Sequence, residues 1–237
     1  MIIENYKSLE AYFRDFIVKE FKNLMETEFE NHFKELPYPV VVRFFSGVDR
    51  VWFNLFRHKN GHITKKFVLN GLTKLRKTEY CETFSAAYDV YLDNNDNSVI
   101  GGITLDVSTV SLNRCILENL HNLEEFKEVI KLVIHHEIGH MIDYHSFHNK
   151  PMQDFINFHE SHNKDFNNFL KWKDENPDAT ADEVNEKYQQ LSAEKTADIL
   201  GGLTLQDRNR INKFYKTKQD PNLKIEIRVV NEGENND

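Results

Sequence analysis

The sequence has few cysteines, no long hydrophobic run and no surplus of positive charge. Its 237 residues include two cysteines, Cys81 and Cys115, which do not have CxxC spacing. Because disulfide scaffolds are dense in cysteine, two reduced thiols in a reducing compartment are the simpler expectation. No stretch approaches the roughly 18 apolar residues of a membrane span, and the N-terminus lacks the pattern of a signal peptide. These absences predict a cytoplasmic protein without a membrane partner.

The charge balance is acidic, since 38 Asp and Glu residues against 30 Lys and Arg give a formal net charge of −8 at pH 7. Domains that bind nucleic acid usually show a basic surplus or a basic stripe, and the sequence has neither. We therefore expect no nucleic-acid partner. Hydrophobic residues make up 40% of the chain, which is enough to build a packed core.

Two kinds of apolar spacing divide the chain into helices and strands. Helical spacing predicts helices at 8–36, 118–146 and 151–175, and a capping box of Thr180 and Glu183 predicts another at 180–205. Segments rich in β-branched residues predict strands at 40–45, 84–93, 98–107 and 223–230, with a hairpin at 51–69 around Asn60 and Gly61. A helix, then mostly strands, then mostly helices is the order of an α+β domain.

The segment HEIGH, His136 to His140, lies in the predicted helix 118–146. Residues four apart on a helix share a face, so both histidines can direct a ring nitrogen at one metal ion about 2.0–2.1 Å away. Glu137 is rotated by about 100° from His136 and reaches toward a metal-bound water, whose proton it can take. Gly139 leaves a gap in which we expect a strand or a substrate to approach closely. The segment Gly101 to Val107 is expected to be the edge strand beside which a peptide lies.

The third metal ligand has two main candidates. Glu194 lies 54 positions after His140 and has Asp198 one helical turn further on, whereas Glu160 lies 20 positions after His140 and has Lys164 at that place. A metal-binding histidine usually donates its other ring N–H to a carboxylate, which Asp198 would supply and Lys164 would not. Glu194 is therefore preferred, and Glu160 stays the alternative.

Other histidines are weaker candidates for the metal. Position 146 is a serine, which excludes a third histidine six residues after His140. His145 and His148 would have to fold back onto the metal from the same or the next turn. Small residues, Ala193 and Ala197 with Gly201 and Gly202, would let the Glu194 helix pack closely on the HEIGH helix. For the oxyanion of peptide hydrolysis, Tyr188, His159 and His162 are all available, and the sequence does not choose among them.

HEIGH followed by AEKTADILGG, residues 193–202, resembles the gluzincins, whose pattern is HExxH and a later ExxxD. The ExxAD form is similar to the HtpX-like and CaaX-prenyl-protease-like metallopeptidases, although those HtpX-like enzymes carry membrane helices and this chain has no such run. The resemblance covers about twenty residues. It implies a zincin-like α+β fold and a zinc endopeptidase, with His136, His140 and Glu194 as zinc ligands, Glu137 as base and Asp198 as support for a ligand histidine.

The expected protein is thus one zincin-like metallopeptidase domain over residues 1–237, with a helical extension at 1–36 and a flexible tail at 231–237. It would hydrolyse a peptide or protein substrate through a zinc-bound water that Glu137 activates. Two rival hypotheses are a metal-binding regulatory or partner-binding module without proteolytic activity, and a protease effector that cleaves one host protein.

Overall fold

The computed structural model describes residues 2–34, 40–45, 84–92, 99–217, 223 and 225–228. The predicted hairpin at 51–69 and the predicted tail at 231–237 lie outside the described residues. Strands β1 (Ile2–Glu4) and β5 (Glu226–Arg228) pair in parallel, so the two ends of the described chain lie side by side. Helices dominate the remainder, beside one further small sheet, and the result is compatible with the α+β class.

The N-terminal segment forms helix α1 (Leu9–Glu26), and a four-residue helix α2 (Glu30–Phe33) follows it. Ser8 caps α1 by accepting a hydrogen bond from the Ala11 N–H at 3.1 Å. The predicted helix at 8–36 is therefore present but interrupted, because Thr27 leaves the helical conformation and ends α1. One face of α1 is buried, with Phe13 and Ile17 fully inaccessible to solvent.

The main sheet has three strands in the described ranges, in the order β2 (Val41–Phe45), β4 (Val99–Ser108), β3 (Phe84–Leu92). Strand β4 runs antiparallel to β3 along most of its length, and from Thr104 to Ser108 it also pairs in parallel with β2. The prediction that Gly101 to Val107 forms an edge strand is therefore wrong for Thr104 to Val107, which lie between two strands. Hydrophobic pattern marks a segment as a strand but does not reveal its neighbours.

The predicted helix 118–146 begins later and has a helix before it. Helix α3 (Thr109–Asn119), which sequence reasoning missed, is followed by α4 (Leu123–His145). Asn122 caps α4 by accepting hydrogen bonds from the backbone N–H groups of Glu124 and Glu125 at 2.9 and 3.0 Å. Helix α5 (Met152–Glu175) agrees with the prediction for 151–175.

The capping box of Thr180 and Glu183 is present, with both reciprocal hydrogen bonds formed. The helix that it starts, α6 (Ala181–Gln189), ends well before position 205. Two further helices follow, α7 (Ser192–Leu200) and α8 (Leu205–Lys216), and α8 has its own capping box. The single predicted helix is thus two short helices, and α8 was not predicted.

One hydrophobic core joins α1, α3, α4, α8 and the main sheet. Among its fully buried side chains are Phe13, Leu105, Phe126, Ile134 and Ile138. Each such side chain contributes roughly 1.5–3 kcal/mol relative to an exposed one, so α4 is firmly held as the central helix. A second, smaller hydrophobic cluster lies at the start of α5 and contains Met152 and Phe155. Within the described ranges no helix has the length and apolarity needed to cross a membrane.

Candidate metal centre

Helix α4 is apolar on the face toward the core and polar on the face toward a cavity. Ile134, Ile138 and Met141 are fully buried on the core side. His136 and Glu137 are each only 7% exposed, although both are polar. Buried polar groups need partners, so these two side chains require specific neighbours. The neighbours come from helices α7 and α8 and from strand β3.

Helix α7 packs against α4 at backbone distance, and two glycines make this possible. A Cβ atom on Gly139 would lie 1.9 Å from the carbonyl oxygen of Ala197, and one on Gly201 would lie 2.2 Å from that of His135. The gap at Gly139 is therefore filled by helix α7 and not, as the sequence suggested, by a strand or a substrate. The expected close packing through Ala197 and Gly201 is confirmed, whereas Gly202 instead adopts a positive φ of 71° in the turn after α7.

This packing brings together His136, His140 and Glu194, whose ligand atoms all lie within 4.8 Å of one another. Nε2 of His136 is 3.1 Å from Oε2 of Glu194, and Nε2 of His140 is 3.8 Å from Oε1 of the same carboxylate. The side chains of His136, His140 and Glu194 are only 9, 14 and 11% exposed. Three converging donors from two helices can hold a metal ion.

The competing ligand candidates lie elsewhere. Glu160 is exposed on helix α5 and does not belong to the cluster of donors. His145 and His148 stack on each other with ring centroids 5.4 Å apart, and they too are outside the cluster. His135, next to the first ligand candidate, has its Nδ1 3.0 Å from the carbonyl oxygen of Gly201 and so belongs to the contact between α4 and α7.

Asp198 contacts the far side of the His136 ring. Nδ1 of His136 donates to Oδ1 of Asp198 at 2.8 Å. Arg208 on α8 forms a two-pronged ion pair with the same carboxylate, in which its Nε donates to Oδ2 at 3.0 Å. Burial alone would raise the pKa of Asp198, but the hydrogen bonds from His136 and Arg208 outweigh it and lower the pKa. Asp198 therefore stays charged and can fix the orientation of the His136 ring.

Sequence reasoning missed Arg208. It lies ten positions after Asp198, on the next helix, so no helical spacing links the two residues. The turn between the helices, where the Leu203 N–H donates to the carbonyl oxygen of Asp198 at 2.9 Å, reverses the chain and returns Arg208 to the carboxylate. Gly201 and Gly202 were the sequence signal for this turn, and a basic residue shortly after them was the available clue.

The pKa values of the two candidate ligand histidines are shifted in opposite directions. Burial lowers the pKa of His136, but hydrogen bonds to Asp198 and Glu194 outweigh burial and raise the pKa to about 9. For His140, burial dominates and lowers the pKa to about 4. Burial would raise the pKa of Glu194, but His136, His140 and a hydrogen bond from Tyr188 lower it. These opposite charges make His136 and Glu194 a buried ion pair at neutral pH.

Glu137 points toward the same cavity from the next position of α4. Its Oε2 accepts a hydrogen bond from the backbone N–H of Ala86 in strand β3 at 2.7 Å. This contact fixes the carboxylate beside the donor cluster without including it in the cluster. Glu137 and the three candidate metal ligands therefore line the same cavity.

That space is a cavity of about 660 Å³ between α4, α5, α6, α7, α8 and strand β3. Tyr188, His159 and His162, the three candidates for stabilising an oxyanion, all line it. Tyr215 of α8, which sequence reasoning did not consider, lines it as well. The choice among these residues stays open.

Helix α7 lacks a capping side chain of its own, since its N-cap residue is Leu191. Asp165 of α5 supplies the capping side chain instead. One of its carboxylate oxygens accepts hydrogen bonds from the Ser192 hydroxyl at 2.7 Å and, more weakly, from the Ser192 N–H at 3.4 Å. A carboxylate at a helix N-terminus is also favoured by the helix dipole. Helix α5 therefore both lines the cavity and anchors the first turn of the helix that carries Glu194.

Comparison with models of protein families, with curated proteins and with solved structures found no match to this chain. The gluzincin resemblance and the roles of the individual residues therefore stay predictions, and the geometry of the site is what supports them.

Proposed function

We propose that this protein is a zinc-dependent metallopeptidase with a zincin-like fold. The observation that carries the proposal is the convergence of His136, His140 and Glu194 beside Glu137 at one cavity. Two histidines and a carboxylate are a donor set that catalytic zinc uses, and catalytic zinc keeps a further position open to solvent or substrate. Here the donors are buried on the protein side and border the cavity on the other, which fits a catalytic site better than a closed structural one.

Each residue then has a defined task. His136, His140 and Glu194 would hold the zinc ion, which would polarise a substrate carbonyl and lower the pKa of a water molecule. Glu137 accepts the proton of that water as it attacks the peptide carbonyl, and then donates it to the departing amine as the C–N bond breaks. Asp198 accepts a hydrogen bond from Nδ1–H of His136, which leaves Nε2 of His136 facing the other two candidate ligands. The hydrogen bond from Ala86 keeps Glu137 directed toward the cavity.

The proposal is tested with the matched variants Glu137→Ala and Glu160→Ala. We expect Glu137→Ala to retain about one zinc per chain by elemental analysis and to lose hydrolysis, because Glu137 handles the proton but is not in the donor cluster. Glu160→Ala, an exposed change on α5, should keep both zinc and activity. The assay is a proteome-derived peptide library whose cleavage products are identified by mass spectrometry. Full hydrolysis by Glu137→Ala of the peptides that the wild type cuts would refute the mechanism.

A second candidate function is a metal-binding regulatory or partner-binding module. The observation that favours it is that the three candidate ligands come from two helices, because a metal ion held by them would cross-link α4 to α7. This alternative predicts that zinc strongly raises the melting temperature while no peptide of the library is cut. It would also leave the Glu137→Ala variant indistinguishable from the wild type in partner binding.

A further inference from the structure

The cavity has an aromatic wall, which we define as Tyr144, Phe158 and His162. It starts at the candidate ligand His140, whose ring stacks on Tyr144 with centroids 6.2 Å apart. Tyr144 meets Phe158 edge to face at 6.1 Å, and Phe158 packs on His162 at 4.0 Å. All three residues line the cavity. An aromatic surface thus extends from the donor cluster onto helix α5.

Another part of the cavity lining is polar and consists of neutral amide side chains. Asn212, one turn after Arg208 on α8, accepts hydrogen bonds from the side-chain amides of Gln189 at 2.8 Å and Asn185 at 3.2 Å. These three amides also line the cavity. Amides are neutral and both donate and accept, so they suit a peptide backbone or an uncharged polar group.

The charged side chains in the described lining already have partners. Apart from Glu137 and Glu194, they are Asp165 and Arg208. Asp165 bonds to Ser192, and Arg208 forms its ion pair with Asp198. A charged substrate side chain would leave water for groups that are already ion-paired, as Arg208 is, or already hydrogen-bonded, as Asp165 is, which is unfavourable. An apolar side chain would lose no hydrogen bonds and would gain contact with the aromatic wall.

We infer that the substrates are peptides with a large apolar side chain, aromatic or leucine-like, next to the scissile bond, and that this side chain binds against the aromatic wall. The inference rests on the proposed metallopeptidase function and adds its substrate class. Phe158 is the specificity-determining residue, because it contacts both other members of the wall. Discrimination by an apolar pocket is about 10- to 200-fold for one methylene group, so we expect at least about a 10-fold preference for Phe over Ala.

The test compares blocked peptides that are identical except for one residue beside the cleavage site, which is Phe, Leu, Ala, Glu or Lys. The zinc-loaded wild type should cut the Phe and Leu peptides with the highest kcat/KM and the Glu and Lys peptides with the lowest. Phe158→Ala should reduce the preference for Phe over Ala to within about threefold, since the pocket contact is lost. The control is Trp172→Ala, an aromatic truncation on the same helix outside the cavity lining, which should leave the preference unchanged.

Phe158 also packs on Phe147 at 4.4 Å, so truncation to alanine could unfold α5. Phe158→Leu keeps an apolar side chain there and provides the second variant. It should retain hydrolysis and shift the preference from Phe toward Leu. The substitution removes the aromatic ring of Phe158 from the wall but keeps an apolar side chain, so no large cavity opens. Circular dichroism and zinc content verify that each variant is folded and loaded.

A binding measurement separates this inference from the proposed function. Zinc-loaded Glu137→Gln binds but does not cut, and fluorescence anisotropy with the same labelled peptides reports affinity alone. Tighter binding of the Phe peptide together with no hydrolysis by the wild type would support the substrate class and overturn the peptidase function. Hydrolysis with equal or greater preference for Glu or Lys would overturn the substrate class and leave the peptidase function standing. Absence of both binding and hydrolysis would overturn both.

Discussion

Nδ1 of His136 donates a hydrogen bond to Oδ1 of Asp198 at 2.8 Å, across 62 positions of sequence. The hydrogen bond fixes the orientation of the His136 ring, so that the other ring nitrogen, Nε2, faces Glu194. It also links helix α4 to helix α7 at the level of the donor cluster. The candidate metal centre therefore depends on the fit between these two helices as much as on the candidate ligands themselves.

Loss of the Asp198 charge should weaken zinc binding without abolishing it. Asp198→Asn keeps the size of the side chain but removes the charge that holds His136 and pairs with Arg208. We expect about a 10- to 100-fold loss of zinc affinity, as for other partners of metal-binding histidines. Competition with a chromophoric chelator measures it. The control Asp178→Asn is an exposed change and should bind zinc like the wild type. Equal affinities for both variants would contradict the assigned role.

Removal of the third ligand should have a larger effect than removal of its rival. Glu194→Ala takes one of three donors from a buried cluster, whereas Glu160→Ala alters an exposed side chain. We expect zinc content after dialysis to fall from about one per chain to nearly none in Glu194→Ala and to stay unchanged in Glu160→Ala, since catalytic zinc needs three protein ligands. If instead Glu160→Ala alone loses zinc, the ligand assignment is wrong.

The close packing at Gly139 should be intolerant of a single methyl group. A Cβ at Gly139 would lie 1.9 Å from the Ala197 carbonyl oxygen, so Gly139→Ala must push helix α7 away from α4. We expect a loss of about 1–3 kcal/mol or more in the free energy of unfolding, typical of overpacking, and a weaker zinc site. Urea unfolding measures the first effect and chelator competition the second.

The matched control for Gly139→Ala is Gly202→Ala. A Cβ at Gly202 would meet no atom within 4 Å, but φ is 71° there. The expected cost is about 1–2 kcal/mol from left-handed backbone strain, with zinc affinity unchanged. A Gly139→Ala variant that binds zinc as tightly as the wild type would mean that α7 can shift without disturbing Glu194.

Cys115 should be nearly inert to alkylation in the folded protein. Burial raises the pKa of its thiol to about 12. Because the thiolate is the reactive form, the rate of iodoacetamide labelling at pH 8 should be about 100-fold or more below that of the urea-unfolded chain, as measured by mass spectrometry of the Cys115 peptide. Labelling of the folded protein at the unfolded rate would show that the thiol is exposed.

The raised pKa of the Cys115 thiol also makes the stability of the folded protein depend on pH. The folded pKa of Cys115 is higher than the unfolded value of roughly 8.5, so the folded state holds the thiol proton more tightly. The contribution to stability is fully present below about pH 8.5 and is lost as pH rises toward 12. Cys115→Ala should therefore reduce the decline of the urea midpoint between pH 8 and pH 10.

Local pattern predicted the elements that carry the chemistry. Apolar residues at helical spacing predicted that HEIGH lies on a helix that packs its apolar face on the core, and the structure has α4 there. The capping box of Thr180 and Glu183 also formed as predicted. Such signals depend on residues within a few positions of one another, which is why a single sequence reveals them.

The break between α6 and α7 was not predictable in the same way. Residues 180–205 have no proline or glycine before Gly201, so the pattern favoured one continuous helix. The chain instead turns after Gln189, and the new helix start is stabilised by Asp165, which belongs to α5. Tertiary contacts of this kind override local helix propensity, because a cap from another element contributes as much as a cap in the chain itself.

The amino-acid sequence by itself determined the residue types of the site, the helix that carries His136, Glu137 and His140, and the spacing that pairs Glu194 with Asp198. Only the tertiary structure decided that Glu194 and not Glu160 joins the histidines, that Arg208 completes the support of Asp198, and that β4 lies inside its sheet. The physical reason is distance along the chain. Helical and capping preferences act over a few residues, whereas the donor cluster forms only when α7 meets Gly139 of α4, and that approach depends on packing throughout the core.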